Sequence, residues 1–197
     1  MSEFPAQSFA EISRRLEIRG EDSSSWVAIL NLAADVQTAL EYLRDDFSSL
    51  LQKDTRALDL ADSNFEQLRK ELHQPTDDIV VLTAHAEIPP EKWAALDLMR
   101  SALERRGPVI LLLSPGTFAG LSEFAPNIRS FIGPSIFAAS PEGGIMTEKE
   151  RESRVSELAL HYGTSNEEIV LKAESGELPP EPQFVEWLVL LGRGDLV

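Results

Sequence analysis

Cysteine is absent from this chain. That excludes disulfides, thiolate nucleophiles and cysteine-based zinc or iron–sulfur sites. Glycine is missing from the whole stretch between Gly20 and Gly107. A phosphate-binding loop needs bare backbone in the pattern Gly-x4-Gly-Lys-Ser/Thr, so that amides can close on the phosphates and the lysine can reach the terminal one. None of the five lysines follows a glycine, and no Gly-x-Gly-x-x-Gly occurs. Nucleotide hydrolysis by the usual route is therefore excluded on sequence grounds. No apolar run approaches the roughly 18 residues that span a bilayer, and Met1 to Phe9 lacks the basic-then-apolar pattern of a signal peptide. A soluble cytoplasmic protein without a membrane association is the expectation. Basic residues are also in short supply, 18 against 33 acids, for a net charge of −15. Nucleic-acid affinity rests on Lys and Arg at phosphates, so this balance argues against nucleic acid and favours basic protein partners.

What is present is an alternation of apolar strands and helices. Asp78-Ile79-Val80-Val81-Leu82-Thr83 and Pro108-Val109-Ile110-Leu111-Leu112-Leu113-Ser114 are short apolar runs bracketed by breakers. Glu91 to Arg106 between them has helical spacing. Strand, helix and strand of this kind make a βαβ unit and imply a parallel sheet covered on both faces. Trp26 to Leu32 reads as a first strand, followed by a helix capped by Asp35 with Val36, Leu40, Leu43, Phe47, Leu50 and Leu51 on one face. Arg56 to Ala61 reads as a second strand, with Ser63 capping a helix that carries Phe65, Leu68 and Leu72. Phe118, Leu121, Phe124 and Ile128 form a short helical segment, and Ser135 to Ala139 a fifth apolar run. Phe9, Ile12, Leu16 and Ile18 suggest a short helix or edge segment before all of these.

Pro141-Glu142-Gly143-Gly144 reads as a linker. The expected organisation is an α/β domain over 1–140, three-layered with a mostly parallel sheet of about five strands and flanking helices. A three-helix appendage follows over 141–197. In the appendage Glu148 to His161 is helical, Gly163 suits the left-handed position after it, and Ser165 with Glu168 forms a capping box for a helix running to about Ala173. A last helix carries Phe184, Trp187, Leu188 and Leu191, either as core or as anchors for a partner. Helix, Tyr162-Gly163 turn and helix resembles a helix-turn-helix, but Glu167 and Glu168 on the second helix make a poor groove reader.

Catalytic groups in a parallel sheet belong at the carboxyl ends of its strands. Asp35, Asp62, Thr83, His85, Glu87 and Ser114 fall there. His85, Glu87 and Ser114 could in principle form a hydrolytic trio, yet no Gly-x-Ser-x-Gly elbow exposes a nucleophile. His73, His85 and His161 are scattered without ligand spacing, and Asp45-Asp46 and Asp77-Asp78 read as surface or capping carboxylates. No catalytic, cofactor-binding or metal-ligating residue is assigned.

Residues 26–140 resemble the ATPase domain of bacterial STAND-type NTPases in the region after the phosphate loop. The resemblance rests on Trp26 to Leu43, Ala57-Leu58-Asp59-Leu60 and Ile79-Val80-Val81-Leu82. It is most specific in Leu96-Asp97-Leu98-Met99-Arg100, Pro108 to Ser114, and Phe124-Ala125-Pro126-Asn127-Ile128-Arg129-Ser130 leading to Ile136-Phe137. The family often carries Ala-Pro-Asp followed by an aromatic where this chain has Asn127 and Ile128. The resemblance implies an inactive STAND-like module of bacterial conflict and antiphage systems, acting as a non-catalytic adaptor or regulatory subunit that holds or controls an effector protein. Leu158 to Ser165 also resembles the ends of some small antitoxins. The alternative expectation is an acidic, antitoxin-like inhibitor of a protease, nuclease or sigma-type factor.

Overall fold

The computed structural model describes residues 25–32, 35–74, 78–84, 86–103, 107–133, 135–140, 144–179 and 181–197. The proposed segment around Phe9 to Ile18, His85, Asp77 and the linker residues Pro141 to Gly143 lie outside these. Five strands, β1 (Ser25–Asn31), β2 (Thr55–Asp59), β3 (Ile79–Thr83), β4 (Pro108–Leu113) and β5 (Ile136–Ala139), form one sheet in the order β2-β3-β4-β1-β5. Every pairing is parallel. The α/β class and the three layers are as the sequence implies.

Chain direction explains the layers. From β1 the chain crosses the sheet to its far edge through α1 (Val36–Leu51), then steps back through α2 (Phe65–Leu72), α3 (Pro90–Leu98), α4 (Pro115–Phe124) and α5 (Pro126–Ile132) to β5. Right-handed crossovers in opposite directions place helices on opposite faces. Alternate residues of β1 divide accordingly. Val27 and Ile29 pack with Leu40, Leu43 and Phe47 of α1. Trp26, Ala28 and Leu30 pack with Leu68, Trp93, Phe118 and Ile128 on the other side. The two central strands β3 and β4 are buried along their whole length, which is why their sequences are continuous apolar runs.

Some boundaries differ from the sequence-based expectation. The helix expected over 91–106 ends at Leu98 and continues as a 3-10 turn over Arg100–Leu103. The Met99 amide folds back onto the Leu96 carbonyl at 3.2 Å, tightening the last turn. The single segment expected around Phe118 to Ile128 is two helices, because Pro126 has no amide to continue α4 and starts α5 instead. Asn64, not Ser63, caps α2, in a capping box with Gln67.

The C-terminal region forms α6 (Glu148–Tyr162), α7 (Asn166–Glu174) and α8 (Pro182–Leu190). Gly163 sits at φ 61°, the left-handed position after α6. Ser165 caps α7 by accepting from the Glu168 amide, but the Glu168 carboxylate turns to Lys172 at 2.8 Å rather than back to the cap, so no capping box forms there. The box stands instead at α6, between Thr147 and Glu150. Val185 and Val189 of α8 enter the main core beside Phe118 and Ile136. Arg129 of α5 donates to the Gly133 carbonyl at 2.9 Å and to the Gly194 carbonyl in the closing 3-10 turn, with its guanidinium 5.5 Å from the Phe118 ring centre.

Candidate functional site

The carboxyl edge of the sheet is where a doubly wound fold places its ligands, and its polar groups can be taken strand by strand. After β1, Asp35 Oδ2 accepts from the Thr38 amide at 2.9 Å and from Thr38 Oγ1 at 3.0 Å. The carboxylate thus caps the N-terminus of α1, the place where a helix otherwise offers amides and a positive dipole end to a phosphate. After β2, Asp59 Oδ1 accepts from the amides of Ala61 and Asp62 at 2.6 and 3.2 Å, closing a local turn. After β3, Thr83 is buried and Glu87 is exposed. After β4, Ser114 Oγ accepts from the Thr117 amide at 3.1 Å and lies 2.8 Å from Thr117 Oγ1. Asp35 and Ser114 therefore cap the helices that follow them, and Asp59 closes the turn after β2.

A cleft of about 460 Å³ opens at this edge, lined by Leu32, Met146, Glu150, Ser153, Arg154, Glu157 and Glu186. It brings together the end of β1, two turns of α6 and one residue of α8. Arg154 crosses it: Nε donates to Glu186 Oε1 at 2.6 Å, Nη2 to Glu186 Oε2 at 3.3 Å, and Nη1 to Glu157 Oε2 at 3.2 Å. Glu186 is 6% exposed. These hydrogen bonds and charges hold the Arg154 guanidinium above its ordinary range, with the Glu186 bond the largest cause. Glu150 takes the Thr147 amide at 2.6 Å and the Thr147 hydroxyl, and those bonds hold its carboxyl below the ordinary carboxylate value. Among the described residues, no three or more His, Asp or Glu side chains converge as a metal site requires. No described helix is long and apolar enough to cross a membrane.

No family model matches this chain, and no curated protein or solved structure matches it either.

The four aromatic and aliphatic residues considered as partner anchors are brought together, but inside the chain. Trp187 is fully buried and its Nε1 donates to Asn166 Oδ1 at 3.0 Å. Leu188 and Leu191 are buried in the same cluster, and Phe184 is half-buried with its ring 5.1 Å from that of Tyr162. Their apolar surface is used to hold α6, α7 and α8 together. The large apolar side chains that this region leaves to solvent are Leu160 and Leu171 instead, 85% and 64% exposed.

Sequence reasoning did not find the cleft. Glu150, Ser153, Arg154 and Glu157 recur at three- and four-residue spacing, so their shared face on α6 was readable. Glu186 lies 32 positions from Arg154, and nothing local announces that pairing.

Proposed function

We propose that this chain is a non-catalytic adaptor or regulatory subunit, built on a STAND-like scaffold whose phosphate site is lost, that holds or controls an effector protein in a bacterial defence system. The observation that carries the reading is the Asp35 carboxylate seated on the first amides of α1, in a chain with no glycine from 21 to 106. A phosphate approaching that helix would meet a like charge and an amide already taken. The strand order, with β4 between β3 and β1, differs from the usual dinucleotide-binding and flavodoxin orders. Strand-end polar groups used as caps fit a scaffold rather than a reaction centre.

The surface fits protein partners better than nucleic acid. The exposed face of α7 carries Glu167, Glu168 and Glu174, and the whole chain stands at −15. The same acidity favours a second reading, an inhibitor that neutralises a basic effector. Affinity capture from the native host with mass spectrometry tests both: a stoichiometric effector or regulatory protein supports the adaptor, and loss of that partner's activity on adding the chain selects the inhibitor. Calorimetry with ATP and magnesium tests the lost phosphate site, and micromolar binding would overturn it.

A further inference from the structure

We propose that the cleft between the end of β1, α6 and α8 is the docking seat for a basic segment of the partner, one that places Lys or Arg side chains against Glu157 and Glu186 and an apolar residue on Leu32 and Met146. The proposal rests on the adaptor reading and names the chemistry of its partner. The lining holds three carboxylates, Glu150, Glu157 and Glu186, against one guanidinium, Arg154; three minus one leaves a formal charge of −2. Arg154 spends three of its five N–H donors on Glu186 and Glu157, so its charge is matched inside the cleft. An acidic ligand would meet a lining of net negative charge, whereas a guanidinium or ammonium could share Glu157, whose side chain is 61% exposed, or take over part of Glu186 from Arg154. Met146 and Leu32 supply apolar surface beside the charges, which suits the alkyl stem of a Lys or Arg and a neighbouring aliphatic residue. About 460 Å³ is within the range of formed binding clefts and holds a few side chains rather than a folded domain. The chain's excess of acids would also speed the approach of a basic segment.

The probe is a fluorescein-labelled peptide of repeated Arg-Ser-Leu, with its Glu-Ser-Leu counterpart, read by anisotropy at low and moderate salt. Two variants carry the same change of three charge units. Ser153→Arg/Glu157→Lys alters the cleft rim at exposed positions, and Ser49→Arg/Glu123→Lys alters exposed positions in the last turns of α1 and α4, outside the cleft lining. The expected result is that the wild type binds the Arg peptide and not the Glu peptide, that the rim variant loses at least tenfold in affinity, and that the remote variant loses threefold or less. Equal losses in the two variants, equal binding of the two peptides, or no binding of the Arg peptide overturns the assignment. Capture from the native host with the same proteins separates this from the broader reading. A partner held equally by wild type and rim variant removes the cleft and leaves the adaptor standing. The absence of any partner from the wild type removes the adaptor itself.

Discussion

Replacing Asp97 by alanine should be the most costly single change outside the apolar core. Helix α5 begins at Pro126, and its N-cap residue is Ala125, which has no side-chain acceptor to offer. The missing cap is supplied from another helix. Asp97, in the last turn of α3, places Oδ1 2.8 Å from the Ile128 amide and Oδ2 2.7 Å from Asn127 Nδ2. Asp97 is 7% exposed, so neither bond competes freely with water. Each hydrogen bond to a charged group contributes about 1.5–3 kcal/mol, and a carboxylate at a helix N-terminus adds about 0.3–1 kcal/mol. Against this, the same carboxylate sits unfavourably at the C-terminal end of α3, which returns a few tenths of a kcal/mol. Asp97→Ala also leaves the Ile128 amide buried without an acceptor. The lower end of that sum, about 3–4 kcal/mol by urea denaturation, is the expected loss, equivalent to a fall of roughly 6–16 °C in melting temperature for a chain of this length. Asp97→Asn keeps the shape and one acceptor and should lose about half as much. A double-mutant cycle with Asn127→Ala should give a coupling of about 1–2 kcal/mol. A loss below about 1 kcal/mol for the alanine variant, or a coupling near zero, would refute the claim that α3 caps α5.

Gly194 lies so close to its neighbours that an added Cβ would stand 2.7 Å from Ile136 Cδ1 and 3.3 Å from Val189 Cγ2. Gly194→Ala should therefore cost about 1–2 kcal/mol, and Gly194→Ala/Ile136→Val, which removes the Cδ1, should recover most of it in thermal melts. Glu150 gives a pH signature. Its folded carboxyl titrates below the ordinary value of 4.5 because Thr147 donates to it, so its contribution is present above that value and lost as pH falls through the lower folded one. The stability gap between wild type and Glu150→Gln should shrink between about pH 6 and about pH 3; a gap that stays constant or widens on acidification would break the assignment. Asp35→Ala removes the cap of α1 and should cost about 1 kcal/mol, while ATP calorimetry stays flat, because removing one carboxylate does not create the missing glycine loop. Appearance of ATP binding in that variant would show the site to be masked rather than lost.

The strands were legible because burial on both faces leaves no polar alternation: β3 and β4 are runs of Ile, Val and Leu ended by Thr83 and Ser114. The caps Asp35 and Ser165 and the left-handed Gly163 were also legible, since capping is decided within a few residues. Asn64 closes the reciprocal bond with Gln67, but Ser63 with Glu66 offers the same spacing, so local pattern did not separate the two adjacent candidates. Strand order was not readable. It depends on which strand the chain returns to after β4, and no local pattern encodes that. The burial of Trp187 and Leu188 shows the same limit: an apolar helix face reads alike whether it meets the chain's own core or a partner. The cleft depends on a contact between α6 and α8, so only its α6 half could be drawn from spacing.

The stretches that carry the family resemblance also have a physical account. Asp97 and Asn127 meet in one hydrogen bond, and Arg129, two residues further on, ties α5 to the chain's last turn through the Gly194 carbonyl. Arg100 lies 4.9 Å from the Phe131 ring centre. These residues tie helices α3 and α5 and the C-terminal turn to one another. A chain can therefore keep this set intact while the β1–α1 junction changes freely, since a phosphate cradle and a helix-packing motif make separate demands on separate parts of the fold. That separation is why the packing of α3, α5 and the C-terminus can be strongly specified while Asp35 serves as the cap of α1.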